Sequence, residues 1–478
     1  MLFNSYGYLY LFLPVVLAVY FALSRSSNTA LAWLVLASLF FYAWWNPWYL
    51  PVVLGSIAFN FWAGRRIIAS ALNSTRRSQW LWLGIAGNLL MLGAFKYTHF
   101  AASILVDLSG THVDIPTIAL PLGISFFTFT QIAYLVDTAR GEVRETNPLH
   151  YALFVTFFPH LLAGPIIHHK EMMPQFADTS NRRFNAENFA RGLFLLALGF
   201  GKKVLIADPL GASANAGYEN IDALGVGDAW ITTLAYTFQI YFDFSGYTDM
   251  ALGAALMFNI RLPVNFNSPY LAADIQDFWR RWHMTLSRFL RDYLYVPLGG
   301  NRVGDARIAT NVMATFLLGG LWHGAGWTFI VWGGLHGAAL VVLRIWQRTG
   351  MRFHRVVAIV LTFLFVHLTW IFFRATSLGD AWRMLQKLVP SVNDWTVAGS
   401  NLSLGSTHIK SLIGLPDTAP ATGVMLLVAA CLTLIPVNSD RRAAQFCASP
   451  RECVFAALLL ALGTLTLGQV TQFLYFNF

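Results

Sequence analysis

The run IATNVMATFLLGGLWHGAGWTFIVWGGLHGAALVVL, residues 308–343, holds 36 consecutive positions without Asp, Glu, Lys or Arg. An α-helix rises about 1.5 Å per residue, so about 20 apolar residues cross the roughly 30 Å hydrocarbon layer of a bilayer. The run is too long for one span and suits two helices joined near Gly324–Gly326. Working outward, residues 1–24 carry no charge, and neither do 26–64, which Pro47 splits in two. Further apolar stretches lie near 78–95, 115–136, 148–167, 192–207, 229–260, 356–373, 418–439 and 454–478. The fold class expected is an all-α integral membrane protein. It is a polytopic helical bundle of about 11–12 spans with re-entrant or interfacial segments.

Composition agrees. The 478 residues are 56% hydrophobic, 15% aromatic and 12% charged. A soluble chain is about a quarter charged, which argues against ordinary soluble enzymes and nucleic-acid binders. Strands of a membrane barrel are about ten residues long and alternate in polarity, unlike these runs. The first apolar stretch has no basic leader, and Arg25 follows it, so it reads as a span with its N-terminus outside. Basic loops carry Arg65, Arg66, Arg76 and Arg77; Arg140 and Arg144; Arg344, Arg348, Arg352 and Arg355; and Arg441, Arg442 and Arg451. The stretch 208–228 carries Asp208, Glu219, Asp222 and Asp228 without a base. Basic loops in the cytoplasm and 208–228 outside give consistent parity if 148–167 re-enters. The net charge of +9 then reflects this rule and anionic lipid, with no nucleic-acid partner.

Several chemistries find no motif. The chain has no phosphate loop, nucleophile elbow or zinc-protease helix. Cys431, Cys447 and Cys453 form neither a disulfide framework nor a metal pattern. His168, His169 and Glu171 are adjacent, but neighbouring helix positions do not face one ligand, so no metal is expected.

Three segments place polar residues inside apolar surroundings, where ionisable groups are costly and functional by default. His323 sits near the middle of the 36-residue run, among Gly319, Gly320, Gly324 and Gly326. Glycines permit close backbone approach and irregular backbone, which at membrane depth implies a cavity. An imidazole kept neutral there is a competent general base or acyl acceptor; the plainer reading is a bond to a neighbouring helix. His336 is balanced between the two readings, and His367 and His160 favour the plainer one. Residues 274–294, DIQDFWRRWHMTLSRFLRDYL, have helical apolar periodicity, with Arg280, His283, Ser287 and Arg291 as a polar stripe. Such a helix lies in the membrane interface, either as an anchor on anionic lipid or as a basic mouth for an acidic donor. Residues 239–249 interrupt an apolar segment with Asp243, Ser245, Tyr247 and Asp249, which suggests a broken helix lining a cavity or a network tying helices together.

Together, Tyr241–Asp249 (YFDFSGYTD), Phe278–His283 (FWRRWH), Leu290–Tyr295 (LRDYLY), Leu298–Arg302 (LGGNR) and Gly320–Gly324 (GLWHG) resemble the membrane-bound O-acyltransferases. The nearest branch is the bacterial alginate O-acetylation group, with peptidoglycan O-acetyltransferases and teichoic-acid D-alanylation proteins. The opening MLFNSYGYLYLFLP, Phe95–Tyr97, Leu120–Phe126 and Phe158–Pro165 are similar to that branch as well. Gly326 departs from it, since alginate-type relatives often carry Asn there. The resemblance implies one membrane domain, 1–478, around a central tunnel. Its parts would be N-terminal helices 1–145, a catalytic core 146–345 and C-terminal helices 346–478. It implies His323 and His283 as the catalytic pair. Asp243, Ser245, Tyr247, Trp279, Arg280, Arg281, Arg288, Arg291, Trp322 and Gly324 would bind substrate or donor. It implies no bound cofactor, with acetyl-CoA or an acyl carrier protein supplying the acyl group from the cytoplasm. The expected partners are that donor, a periplasmic acetyltransferase, a polysaccharide acceptor and membrane lipids, at a bacterial inner membrane. Two other readings stay open: a transporter or flippase of a polysaccharide precursor, and a lipid or protein O-acyltransferase of the same superfamily.

Overall fold

The computed structural model describes residues 1–24, 26–110, 119–144, 146–162, 164–390, 419–467 and 473–474. Among the described residues every regular element is helical, as the apolar runs require. Three helices among the described residues are long and apolar enough to cross a membrane: Thr75–Ser109, Trp327–Arg348 and Arg355–Arg374. Gly7–Ala22, Asn28–Ala43 and Thr422–Leu434 are shorter apolar helices. The expected spans 115–136 and 454–478 lie partly outside the described residues, and the flanking Arg25 lies wholly outside them.

The chain forms two compact units. The first holds Met1–Leu196 with Met250–Pro263, and the second holds Ala197–Asp249 with Val264–Phe478. In the first unit, α1 (Leu13–Ala22), α2 (Ser27–Ala43), α3 (Leu50–Ile68) and α4 (Thr75–Leu92) follow in order. Pro47 opens the short 3₁₀ turn that separates α2 from α3, where the Asn46 side chain accepts the Trp48 N–H. Then come α5 (Thr98–Ser109), α6 (Ile124–Ala139), α7 (Pro148–Thr156), α8 (Phe158–Leu161), α9 (His169–Ala177) and α10 (Ala186–Gly201), whose last turn belongs to the second unit. The nine residues of α7 cover about 14 Å, short of a crossing and in keeping with a re-entrant segment.

Polar side chains join helices of the first unit where water is excluded. Asn60 and Asn88 exchange amide hydrogen bonds at 3.2 and 2.6 Å between α3 and α4. Gln131 of α6 donates to Ser56 at 2.8 Å and accepts from the Tyr151 hydroxyl at 3.1 Å. Arg77, read from sequence as a loop cation, is a buried residue in the first turn of α4. Its guanidinium donates to the carbonyls of Ala139 (2.9 Å), Thr138 (2.6 Å) and Ser70 (2.8 Å). The last carbonyls of a helix have no partner of their own and carry partial negative charge, so a cation at the end of α6 satisfies both needs.

The second unit contains α11 (Asp208–Glu219), α12 (Val226–Met257), α13 (Ile275–Trp279), α14 (Met284–Leu290), α15 (Asp305–His323), α16 (Trp327–Arg348), α17 (Arg355–Arg374) and α18 (Leu378–Lys387), the last turns of α12 belonging to the first unit. Three later helices follow: Ala419–Leu434, Ser439–Ala444 and Pro450–Leu465. The 36-residue uncharged run does fold as two helices joined at Gly324–Gly326. Of the two readings open for 239–249 the broken helix falls, and the single helix over 274–294 fails. Residues 239–249 lie inside one unbroken 32-residue helix, α12. Residues 274–294 are not one helix: α13 ends at Trp279, and α14 starts after a left-handed His283. The acidic stretch 208–228 begins with helix α11.

Replacing Arg77 with alanine removes its charged donors from one buried and two part-buried carbonyl bonds. Arg77→Ala should destabilise the protein by about 3 kcal/mol. The exposed Arg65→Ala should have little effect, and the two unfolding temperatures in detergent compare them.

Candidate active site

His323 is the last residue of α15, and Gly324 leaves the helix in extended conformation. The helix pair α15–α16 is held close by missing side chains. A methyl on Gly320 would lie 2.3 Å from the Phe329 carbonyl oxygen, and one on Gly333 equally close to that of Phe316. This contact brings Trp332 of α16 over His323, ring centroids 5.1 Å apart and nearly perpendicular. Trp322 at 4.9 Å and Phe373 of α17 at 5.2 Å complete an aromatic enclosure. His323 is left buried, and the centroid of His283 stands 6.3 Å away.

His283 reaches that position through a break in the chain. Its φ and ψ of 42° and 53° are left-handed, a conformation that a non-glycine residue adopts at a cost of about 1–2 kcal/mol. Buried Asn265 braces it. The Asn265 side-chain oxygen lies 3.2 Å from His283 Nδ1 and accepts from Thr285 N–H (3.2 Å) and Thr285 Oγ1 (2.9 Å). Its backbone carbonyl accepts from Met284 N–H at 3.0 Å. The edge-on ring of Phe244, 4.8 Å away at 87°, backs the imidazole. The helical stripe expected from Arg280, His283, Ser287 and Arg291 therefore does not form: His283 is fully buried, while Arg280 and Arg291 are exposed.

Phe244 is supported in turn by charge. The π-helical turn Lys202–Ala207 directs two lysines at α12. Lys203 pairs with Asp243 at 2.6 Å and Asp208 at 2.7 Å, and Lys202 with Asp249 at 2.7 Å. Ser245 lies 3.5 Å from Lys202 Nζ. Gly246 admits this turn, since a methyl there would sit 2.7 Å from the Gly199 carbonyl oxygen. A segment near the C-terminus also docks here: Leu474 N–H donates to Asp243 at 2.8 Å, and Phe473 stacks on Tyr247 at 4.3 Å. The polar residues of 239–249 are thus balanced by neighbouring cations and do not need a broken helix.

His336 has a holding role. The Trp279 indole N–H donates to its Nδ1 at 3.3 Å, and its Nε2 faces the Thr369 hydroxyl at 3.0 Å. That ties α13, α16 and α17 together and uses both ring nitrogens. His367 bonds Thr237 at 2.8 Å, and His160 bonds the Phe154 carbonyl at 3.0 Å. Both fit the plainer reading given above.

Of the residues expected from sequence, His283, His323 and Trp322 meet at one centre, with Gly324 at the helix end beside it. Asp243, Ser245 and Tyr247 lie behind Phe244 as support, and Trp279 belongs to the His336 network. Arg281 is paired with Asp277 at 2.8 Å and Arg291 with Asp292 at 2.6 Å, while Arg288 is part-buried on α14. Lys202, Lys203, Asn265, Trp332 and Phe373 were missed. Two adjacent lysines in the apolar stretch 192–207 were the available signal for the first two; Asn265 gave none.

The profile of the family described as membrane-bound O-acyltransferase matches residues 67–379. The chain is 43% identical to a "Peptidoglycan O-acetyltransferase" of Helicobacter pylori, covering 100% of this chain and 98% of that relative. It is 42% identical to a "Probable alginate O-acetylase AlgI" of Pseudomonas aeruginosa, over 84% of this chain and 77% of the relative. A "Teichoic acid D-alanyltransferase" of Streptococcus thermophilus is 31% identical over 48% of this chain and 57% of its own length.

Breaking a buried ion pair by removing one partner costs about 3–5 kcal/mol, whereas an apolar replacement of both partners is far milder. Lys203→Met should therefore lower the unfolding temperature sharply. The double variant Lys203→Met with Asp243→Leu should recover part of the loss in the same detergent.

Proposed function

The chain belongs to the membrane-bound O-acyltransferase family, and we propose that it moves an acetyl group from a cytoplasmic thioester across the bacterial inner membrane for O-acetylation of a cell-wall or exported polysaccharide. The observation that carries this reading is the buried pair His283 and His323, enclosed by aromatic rings at the end of the α15–α16 hairpin. An O-acyltransferase needs a base for an acceptor hydroxyl and a site that keeps water from the thioester. Two imidazoles in a desolvated enclosure would supply both. The acceptors named by the relatives, peptidoglycan and alginate, are the two polysaccharides to test first.

The reaction balances simply. The acceptor oxygen bonds to the thioester carbonyl carbon, the carbon–sulfur bond breaks, and the hydroxyl proton passes through imidazole to the departing thiolate. His323 would take that proton or carry the acyl group briefly, with His283 assisting. The walls formed by Trp322, Trp332 and Phe373 favour a small acyl group over a long chain. Acetyl-CoA or an acyl carrier protein would present the thioester. Arg280, which is exposed, would attract donor phosphates, whereas Arg281 and Arg291 are engaged by their own carboxylates. On the far side, a periplasmic acetyltransferase would receive the group and pass it to the polysaccharide.

The test is transfer from labelled acetyl-CoA by purified protein in liposomes, with an enclosed hydroxyl acceptor. Wild type should deliver label, and His323→Ala at equal folded amount should be about 10²–10⁴-fold slower. Equal rates would make the histidine structural. Loss in His283→Ala alone would reverse the two roles.

A further inference from the structure

We infer that Asn265 is a positioning residue that fixes His283 with its proton on Nδ1 and its lone pair on Nε2. The proposal rests on the acyltransferase reading for its purpose but not for its geometry. Asn265 is fully buried, and its side-chain Oδ1 is the shared acceptor of a turn spanning residues 283–285. A backbone N–H can only donate. The Thr285 N–H at 3.2 Å therefore identifies the facing Asn265 atom as oxygen and rules out the flipped amide. An amide oxygen cannot donate, so the hydrogen bond to His283 Nδ1 at 3.2 Å requires the proton on that nitrogen. Neutral imidazole carries one proton, which leaves the lone pair on Nε2.

The arrangement explains the strained backbone of His283. Asn265 holds residue 284 through its backbone carbonyl and residues 283 and 285 through its side chain. A left-handed non-glycine residue persists only where the surroundings over-determine it. His336 makes the contrast. The indole N–H of Trp279 is donor-only, so Nδ1 of His336 accepts, and its proton lies on Nε2 toward Thr369, whose hydroxyl is donated to the Val366 carbonyl. The two buried histidines are held in opposite tautomers, and the network of His336 engages both of its nitrogens. In the transfer, the acceptor O–H bond breaks as its oxygen attacks the thioester carbon. The proton that His323 removes passes to His283 Nε2, and that imidazolium delivers it to the sulfur as the carbon–sulfur bond breaks. The Asn265 oxygen keeps its bond to Nδ1–H throughout and steadies the imidazolium, the part played by the third member of a nucleophile–base–orienter set.

The experiment uses the full chain in liposomes, labelled with ¹⁵N in its histidine rings. The His283 resonances are identified by their loss in His283→Gln. Wild type should show His283 protonated at Nδ1 and bare at Nε2, Asn265→Asp should keep that pattern, and Asn265→Leu should lose it. With acetyl-CoA as donor, Asn265→Leu should lower kcat about 10²–10⁴-fold with KM near wild type, while Asn265→Asp stays within about tenfold. A wild-type His283 protonated at Nε2, or an unchanged pattern or kcat in Asn265→Leu, would overturn the proposal. Should Asn265→Leu fail to fold, the wild-type and Asn265→Asp spectra still decide it. Absence of acetyl transfer by wild type would refute the transferase reading alone, because the spectra do not depend on turnover.

Discussion

Two lysines facing three carboxylates set the terms for the second unit. Unpaired charge cannot be kept in a low-dielectric interior, so α12 could not carry Asp243 and Asp249 as a buried continuous helix without Lys203 and Lys202 opposite them. Because α12 stays helical, Phe244 has a fixed backbone from which to meet His283 edge-on. Because that side of His283 is fixed, its other contacts can be specific: Asn265 at Nδ1, and Trp322 and His323 across the enclosure. The order of dependence runs from charge neutralisation, through helix continuity, to the direction of one imidazole.

Much of this was legible in the sequence, and the failures have physical causes. The joint at Gly324–Gly326 and the break at Pro47 could be read because glycine and proline act locally, through their own backbone. Membrane parity led to the expectation that 148–167 re-enters, and the structure divides its described residues into short helices. Between a broken helix and a network tying helices together at 239–249 the local sequence could not decide, because the partners of its carboxylates lie about forty residues away in sequence. The stripe over 274–294 failed for a different reason. Its apolar periodicity holds well enough across a single left-handed residue to mimic one helix, and the cause of that residue, Asn265, lies outside the window. Local rules describe a helix; they do not describe the tertiary hydrogen bonds that end one.

The site also shows how similar residues divide their labour. Five buried histidines occur among the described residues at 160, 169, 323, 336 and 367 besides His283, and their differences lie in the partners they meet. His160, His336 and His367 are bonded to backbone, hydroxyl or indole groups that belong to neighbouring elements. They act as cross-links between helices. Burial of an imidazole in this bundle is therefore weak evidence of chemistry by itself, and the enclosure shared by His283 and His323 is the stronger mark.

The π-helical turns have a consequence for how such a chain tolerates change. One runs through Lys202–Ala207, and others through Gly7–Phe12, Gly93–Tyr97 and Arg291–Tyr295. Each amounts to one residue more than an α-helix would use, and one residue rotates everything beyond it by about 100°. Deletion of a single position near Lys202 would turn the lysines away from their carboxylates without touching a loop. Length variation in this protein is thus constrained inside its helices, where alignment methods are accustomed to forbid gaps for quite another reason. The extra residue of the Lys202–Ala207 turn is a device for aiming charge.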